Sequence, residues 1–138
     1  MLAILALARG TPVTSEAIAH SVNTNAAFVR RLLGALARAG LTKTMMGPTG
    51  GALLKRSAAK ITLLDVYRAV DDQVVFAFHT HGPNLACPIG QCITPILEPE
   101  VDRATCALES SLASTTIAEV ADRITARVGL EKLGRMLD

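Results

Sequence analysis

Apolar residues recur at helical spacing over most of the chain, apart from two short extended segments around a glycine-rich stretch near its middle. Residues 2–8 are all apolar and predict a short first helix, broken at Gly10-Thr11-Pro12. Thr14 then stands as an N-cap, with Ser15 and Glu16 in a first turn where the helix dipole favours an acid. That helix runs to about Ser21 and is expected to turn Ala17, Ile18 and Val22 inward. Asn23-Thr24-Asn25 reads as a turn, because Asn tolerates left-handed backbone and Thr or Asn can cap the next helix. From about 26 to 39, Phe28, Val29, Leu32, Leu33 and Leu36 make one apolar stripe. Ala27, Arg30, Arg31, Gly34 and Arg38 take the other side, and Gly40 is placed to stop the helix. Residues 41–46 and 52–56 predict two extended segments around Gly47-Pro48-Thr49-Gly50-Gly51, a hairpin. Thr62 caps an amphipathic helix through about Val70.

The pattern lapses from Asp71 to Thr94. A long helix is expected from about Pro95 to Leu112, its stripe carried by Val101, Ala104, Leu108 and Leu112. Thr115-Thr116 interrupts it, and Ile117 to Val128 continues as a further helix with a short helical tail. Two short helices joined by a tight turn and followed by a hairpin spell a winged helix-turn-helix, so the fold class is mainly α with a small β-wing. Ala19, small where the helices cross, and Asn23 four positions later fit that arrangement, with Asn in place of the commoner Gly.

Composition narrows the function. The 138 residues are 50% hydrophobic and 19% charged, enough for a real core. Aromatics are only 3%, so that core is Leu, Ile, Val and Ala, which disfavours an all-β barrel or sandwich. The length excludes a (β/α)₈ barrel or a two-lobed dinucleotide enzyme. Gly47 to Gly51 lacks the Lys of a phosphate loop, and neither a nucleophile elbow nor a metalloprotease motif is present, so an enzyme is not expected. The apolar opening is too short for a membrane span and has no basic residue ahead of it, as an export signal requires. The uncharged run from Gln73 to Leu97 is broken by His, Pro and Gly. Three cysteines do not make a disulfide framework. The expectation is a cytoplasmic protein with no membrane partner.

Charge divides the chain. Residues 1–60 carry eight basic side chains against one acid, Glu16, a balance of +7; residues 61–138 carry six basic and eleven acidic, a balance of −5, giving the overall +2. Such a first half suits a polyanion. The second helix of the pair is placed to enter the major groove, with Thr24, Asn25 and Ala27 at its start and Arg30 and Arg31 on its outer side, Arg to guanine being the commonest specific base contact. Lys43, Lys55 and Arg56 on the wing strands are expected to meet backbone phosphate. A winged helix used only as a protein-interaction adaptor is the rival reading; a steep salt dependence of DNA affinity separates the two.

The segments VRRLLGALARAGL at 29–41, GPTGGALL at 47–54, ITLLDVYRAVD at 61–71, CPIG at 87–90 and TTIAEV at 115–120 resemble the Rrf2 family of bacterial winged-helix regulators, which includes the IscR, NsrR and CymR types. The resemblance implies a DNA-binding domain over 1–72, then a sensor loop and dimerisation helices over 73–138. It also implies a homodimer on a dyad-symmetric double-stranded operator, and a repressor. Two departures stand out: the first helix begins a turn or two later than is usual, and Met46, beside Met45, replaces the Arg that precedes Gly-Pro in the family wing.

In that family the loop is the sensor, through an iron–sulfur cluster on three cysteines, through thiol oxidation, or with no cofactor. Here the third cluster cysteine falls near Glu98, and Cys106 lies within the long helix, where a dimer interface is expected to bury it. Three readings stay open. Cys87 and Cys92 are spaced to form a redox pair; His79, His81, Cys87 and Cys92 make a candidate Zn or iron–sulfur site; or Cys87 packs as a small hydrophobe with no cofactor. A shift of the 73–94 loop is expected to move the dimer helix and reset the separation of the two recognition helices.

Overall fold

A computed structural model describes residues 1–47, 49–70 and 81–129. Its elements in chain order are α1 (Leu2–Leu7), α2 (Ser15–Ser21), α3 (Ala26–Arg38), β1 (Thr42–Met45), β2 (Gly51–Leu54), a 3₁₀ turn (Ala58–Lys60), α4 (Leu63–Val70), α5 (Pro88–Ala113) and α6 (Ile117–Val128). The two strands pair antiparallel, Thr42 opposite Leu54 and Met45 opposite Gly51. Val13 adds a bridge to Ala52, each N–H donating to the other's carbonyl at 3.1 and 2.8 Å, so the segment before α2 fastens the wing to the body.

One core holds the helix-turn-helix and wing together. Leu2, Leu5, Val13, Ile18, Val29, Leu33, Leu36, Leu41, Ala52, Ile61 and Ile117 pack in it, and Ile18, Leu36 and Ile61 are completely enclosed. Thr42 is the buried polar residue, and its hydroxyl donates to the Leu33 carbonyl at 3.4 Å. Ile117 belongs to this core and Ala121 is buried, so α6 packs back onto α1 and the 3₁₀ turn.

The turns obey the expected chemistry. Asn23 takes φ 52° and Gly40 takes φ 73°, the left-handed positions that end α2 and α3. After Gly40 the Leu41 N–H closes back on the Leu36 carbonyl at 2.9 Å, a Schellman closure. Thr14 and Asn25 accept from the Ala17 and Phe28 N–H groups at 3.1 and 2.7 Å, capping α2 and α3.

Three expectations of burial change. Ala17 and Val22 face solvent, and Ala19 joins Ile18 inside, because α2 is only two turns long and its crossing with α3 selects small residues. Phe28 is 40% exposed rather than inward, since Val29, Leu33 and Leu36 alone fill the core face of α3. On α5 Val101, Leu108 and Leu112 of the expected stripe are half-buried, as is Thr105, whereas Ala104 is exposed.

The largest correction concerns where α5 begins. It starts at Pro88, seven residues before Pro95, and carries Pro95 and Pro99 within it. Proline suits the first helical position because its missing N–H has no partner there, and Pro88 rather than Pro95 takes that role. Asn84 prepares the start: its side chain accepts from the Ala86 N–H at 2.9 Å and its carbonyl from the Cys87 N–H at 3.0 Å. Gly90 is part of the same device, because a Cβ there would lie 2.2 Å from the Asn84 carbonyl oxygen. At 26 residues α5 is about 39 Å long, and none of its residues is buried.

Candidate nucleic-acid interface

The outer side of α3 presents one continuous face. Thr24 and Asn25 precede the helix, and Ala27, Arg30 and Arg31 lie beyond them at exposed positions. Gly34 continues that face, with Arg38 lying across it so that a Cβ at 34 would meet its Nη1 at 3.7 Å. Small residues at 27 and 34 leave the backbone of the helix close to its own surface, which suits insertion into a groove. Asn25 spends its Oδ1 on the cap, leaving its amide nitrogen as the side-chain donor.

Both arginines are exposed, and each has a neighbour. Arg30 Nη2 donates to Glu16 Oε1, from α3 to the first turn of α2. The guanidinium of Arg31 lies over the Phe28 ring, 5.1 Å from its centroid, a cation–π contact that also accounts for the outward Phe28. Glu16 is held well on the ionised side: its own backbone N–H and the Ser15 hydroxyl lower its pKa, with Arg30 adding to them. Between α3 and the wing lies an open hollow of about 260 Å³ lined by Ser15, Arg30, Leu33, Gly34, Thr44, Gly51 and Ala52.

On the wing, Lys43 is exposed on β1. Lys55 and Arg56 do not lie on a strand, as β2 ends at Leu54. The Lys55 N–H still donates to the Leu41 carbonyl at 2.9 Å, in line with the β1–β2 register. Arg56 donates to the Lys60 carbonyl at 2.7 Å, which draws it toward the 3₁₀ turn. Met46, at the wing tip, is 94% exposed.

A basic reading face on the second helix of a tight pair, seated on a core shared with a hairpin wing, is the arrangement that decides the family. Residues 1–123 match the family described as Rrf2, iron-dependent transcriptional regulator. The chain belongs to the Rrf2 family. YwnA of Bacillus subtilis, named as an HTH-type transcriptional regulator, is 40% identical over 112 residues, 80% of this chain and 83% of YwnA. A DNA-binding protein of known crystal structure is 34% identical, with a TM-score of 0.66 over 86% of this chain and 95% of its own. CymR, the global cysteine regulator of B. subtilis, is 25% identical, with a TM-score of 0.66 over 88% of each chain. This Rrf2 protein is therefore a winged-helix DNA-binding transcriptional regulator, in a family of transcription factors rather than enzymes.

The family description names iron, which makes the cysteines candidates for a metal or cluster. Cys87 is the N-cap of α5, Cys92 and Cys106 lie along it, and all three are free thiols. By helix geometry Cys87 to Cys106 spans about 28 Å, with Glu98 between them. No three of these groups meet at the ~2.3 Å bond lengths that a zinc ion or cluster demands of its thiolates. Among the described residues no group of three His, Cys, Asp or Glu side chains is placed to hold a metal; His81 is exposed, and His79 lies outside the described residues. The described residues do not fit such a centre.

A Cys87–Cys92 disulfide would need the first turn of α5 to open, because five positions along a helix separate Cα atoms by about 8–9 Å and a disulfide spans ~4.4–6.8 Å. Cys87 itself is set apart by its place: its side chain makes no capping hydrogen bond, but the backbone N–H groups of Gly90 and then Ile89, at the head of α5, lower its pKa from 9.0. Cys92 and Cys106 are both exposed in the single chain.

Three roles, two on this surface and one at the head of α5, go beyond what the sequence assigns to Glu16, Phe28 and Gly90. Glu16 had a signal, being the sole acid among the first 60 residues. Phe28 had none, because an aromatic at helical spacing reads as core. Gly90 owes its role to Asn84, a contact six residues back that no periodicity reveals.

Proposed function

We propose that the protein acts as a homodimeric repressor that grips a dyad-symmetric operator, with Arg30 and Arg31 reading base edges in the major groove. The observation that carries this is the exposed face of α3, where both arginines are already held by neighbours, Glu16 and Phe28. Thr24, Asn25 and Ala27 lie at the groove-facing start of the same helix, and Lys43, Lys55 and Arg56 supply phosphate contacts from the wing and its base. In this reading residues 1–72 form the DNA-binding domain, joined by α6, and the rest of 73–138 serves sensing and pairing, inside the cytoplasm.

Dimerisation is supported by α5, whose Ile89, Ile93, Ile96 and Leu97 are exposed at i, i+4, i+7 and i+8, one stripe of a helix with no buried residue. Pairing two such stripes buries them and sets the recognition helices at the ~34 Å spacing of successive half-sites.

Cys87 is the sensing group of this proposal. Its thiolate attacks one sulfur of a low-molecular-weight disulfide; a mixed disulfide forms on Cys87 and the other sulfur leaves as a thiolate. The added group sits at the start of the pairing helix, where it disturbs the dimer.

Fluorescence anisotropy on labelled duplex tests the reading, with the reduced protein and with protein treated with a small disulfide, across a salt series. The expected result is a dimer whose log affinity falls steeply with log salt, with at least tenfold weaker binding after treatment, about 1.4 kcal/mol of coupling. Salt-independent binding overturns the DNA interface. A monomer at binding concentrations overturns the symmetry, and superimposable curves overturn the thiol.

A further inference from the structure

We propose that Glu16 is a specificity-determining residue of the DNA interface: through its ion pair it holds the Arg30 guanidinium in the pose that reads a base, without touching the base itself. This rests on the reading of Arg30 as a groove contact.

The placement is specific. Glu16 is the one acid among residues 1–60, in the company of eight bases. It stands in the first turn of α2, fourteen positions before Arg30 in sequence, where the crossing of α2 and α3 brings the two side chains together. Its two oxygens have different partners: Oε2 accepts from the Ser15 hydroxyl at 3.1 Å, and Oε1 accepts from Arg30 Nη2. The carboxylate is thus oriented by its own helix and aimed at the arginine. A helix-dipole role alone explains an acid in that first turn, but it does not explain the engagement of a recognition-helix arginine.

Pairing one terminal nitrogen leaves the remaining donors of the guanidinium fork available to the O6 and N7 acceptors of a guanine. An exposed arginine ordered in advance loses less rotamer freedom on binding. The same carboxylate stands close to the phosphate path and repels it, which weakens binding to sequences that offer Arg30 nothing. Both effects raise the ratio of specific to non-specific affinity.

The test uses the full chain and a duplex that the wild-type protein selects from a random-sequence pool, with a panel of its single-base-pair variants and a random duplex, all read by anisotropy. Glu16→Gln is expected to cut discrimination at one base pair by about tenfold, leave the other positions unchanged, and tighten binding to the random duplex. In an Arg30→Ala background, Glu16→Gln should no longer alter discrimination. An equal gain on every duplex overturns the proposal, since Glu16 then merely repels phosphate, and no change at all overturns it too. If Arg30→Ala itself leaves discrimination intact, the groove reading of Arg30 fails. If Arg30→Ala costs discrimination and Glu16→Gln does not, only the role of Glu16 fails.

Discussion

Thr62 and Thr116 face each other across an isolated antiparallel bridge, and each is also the N-cap of a helix. The Leu63 N–H donates to the Thr115 carbonyl at 2.9 Å, and the Ile117 N–H to the Ile61 carbonyl at 2.8 Å. Thr62 exchanges bonds with Asp65, and Thr116 with Glu119, so two reciprocal caps stand side by side. Ile61 and Ile117, beside them, are buried in the core that also supports α3. The end of α5 and the starts of α4 and α6 are therefore pinned to the platform of the recognition helix. A displacement of α5 has a short covalent and hydrogen-bonded route to the DNA-reading face.

Breaking one of these caps should loosen that joint. Thr116→Ala removes the acceptor of the Glu119 N–H and is expected to cost about 1 kcal/mol, a few degrees in Tm for a chain of this size. Glu119 also ties the joint to pH. The Thr116 backbone N–H, then its hydroxyl, hold the carboxyl below its ordinary 4.5. A depressed carboxyl stabilises the fold above its unfolded pKa, and that stability is lost as pH falls through the folded value. Urea titrations from pH 7 down to 3 should show a shallower acid loss in Thr116→Ala than in the wild type. Parallel curves would remove Glu119 from the joint.

Two substitutions on α3 should separate packing from recognition. Leu36→Ala empties a fully enclosed site and is expected to cost about 2–5 kcal/mol. Phe28→Ala, on the exposed face, should cost no more than about 1 kcal/mol, because it loses a cation–π contact and little core. It should nonetheless weaken base discrimination by releasing Arg31. Chemical denaturation and binding measured on the same preparations check both, and a Phe28→Ala protein with unaltered discrimination would leave Arg31 independent of the ring.

The range of the forces involved decides which features are legible in the sequence and which are hidden. Helix ends set by one residue were readable: Thr14, Asn25 and Thr116 as caps, Asn23 and Gly40 as left-handed stops, because each acts on backbone within a few positions. The wing was readable from the glycine-rich stretch between two short extended segments. The start of α5 was not, since three prolines offer rival first turns and the choice is made by Asn84 and Gly90 closing against each other. Of the site, the exposure of Arg30 and Arg31 could be seen in the stripe opposite. Their partners could not: Glu16 meets Arg30 only through the crossing of two helices, and Phe28 turns outward because three aliphatic residues already fill the core side.

Base contacts and phosphate contacts should differ in kind. Arg30→Ala or Arg31→Ala is expected to cost about 1–3 kcal/mol at one base pair and little elsewhere. Lys43→Ala should weaken every duplex alike and lower the slope of log affinity against log salt by about one. Arg56→Ala should have less effect than Lys43→Ala, since Arg56 already donates to the Lys60 carbonyl. A uniform loss in Arg30→Ala would make that residue a phosphate contact.

The thiol at the head of α5 gives the last prediction. The Gly90 and Ile89 N–H groups favour the Cys87 thiolate, so its pKa lies below the ordinary 9.0. At pH 7 a larger fraction is therefore ionised than at an unperturbed cysteine, and alkylation by iodoacetamide should be fastest at Cys87. Mass-spectrometric rates across pH 6–10 should place its inflection below 9.0. Gly90→Ala supplies the control. Its new Cβ meets the Asn84 carbonyl oxygen, a backbone atom that cannot swing aside, so the 84–90 turn must open and carry the Gly90 and Ile89 N–H groups away from Cys87. The Cys87 inflection should then rise toward 9. If Cys87 keeps its rate in Gly90→Ala, the turn is not what activates it; if all three cysteines react alike in the wild type, the head of α5 confers no special reactivity.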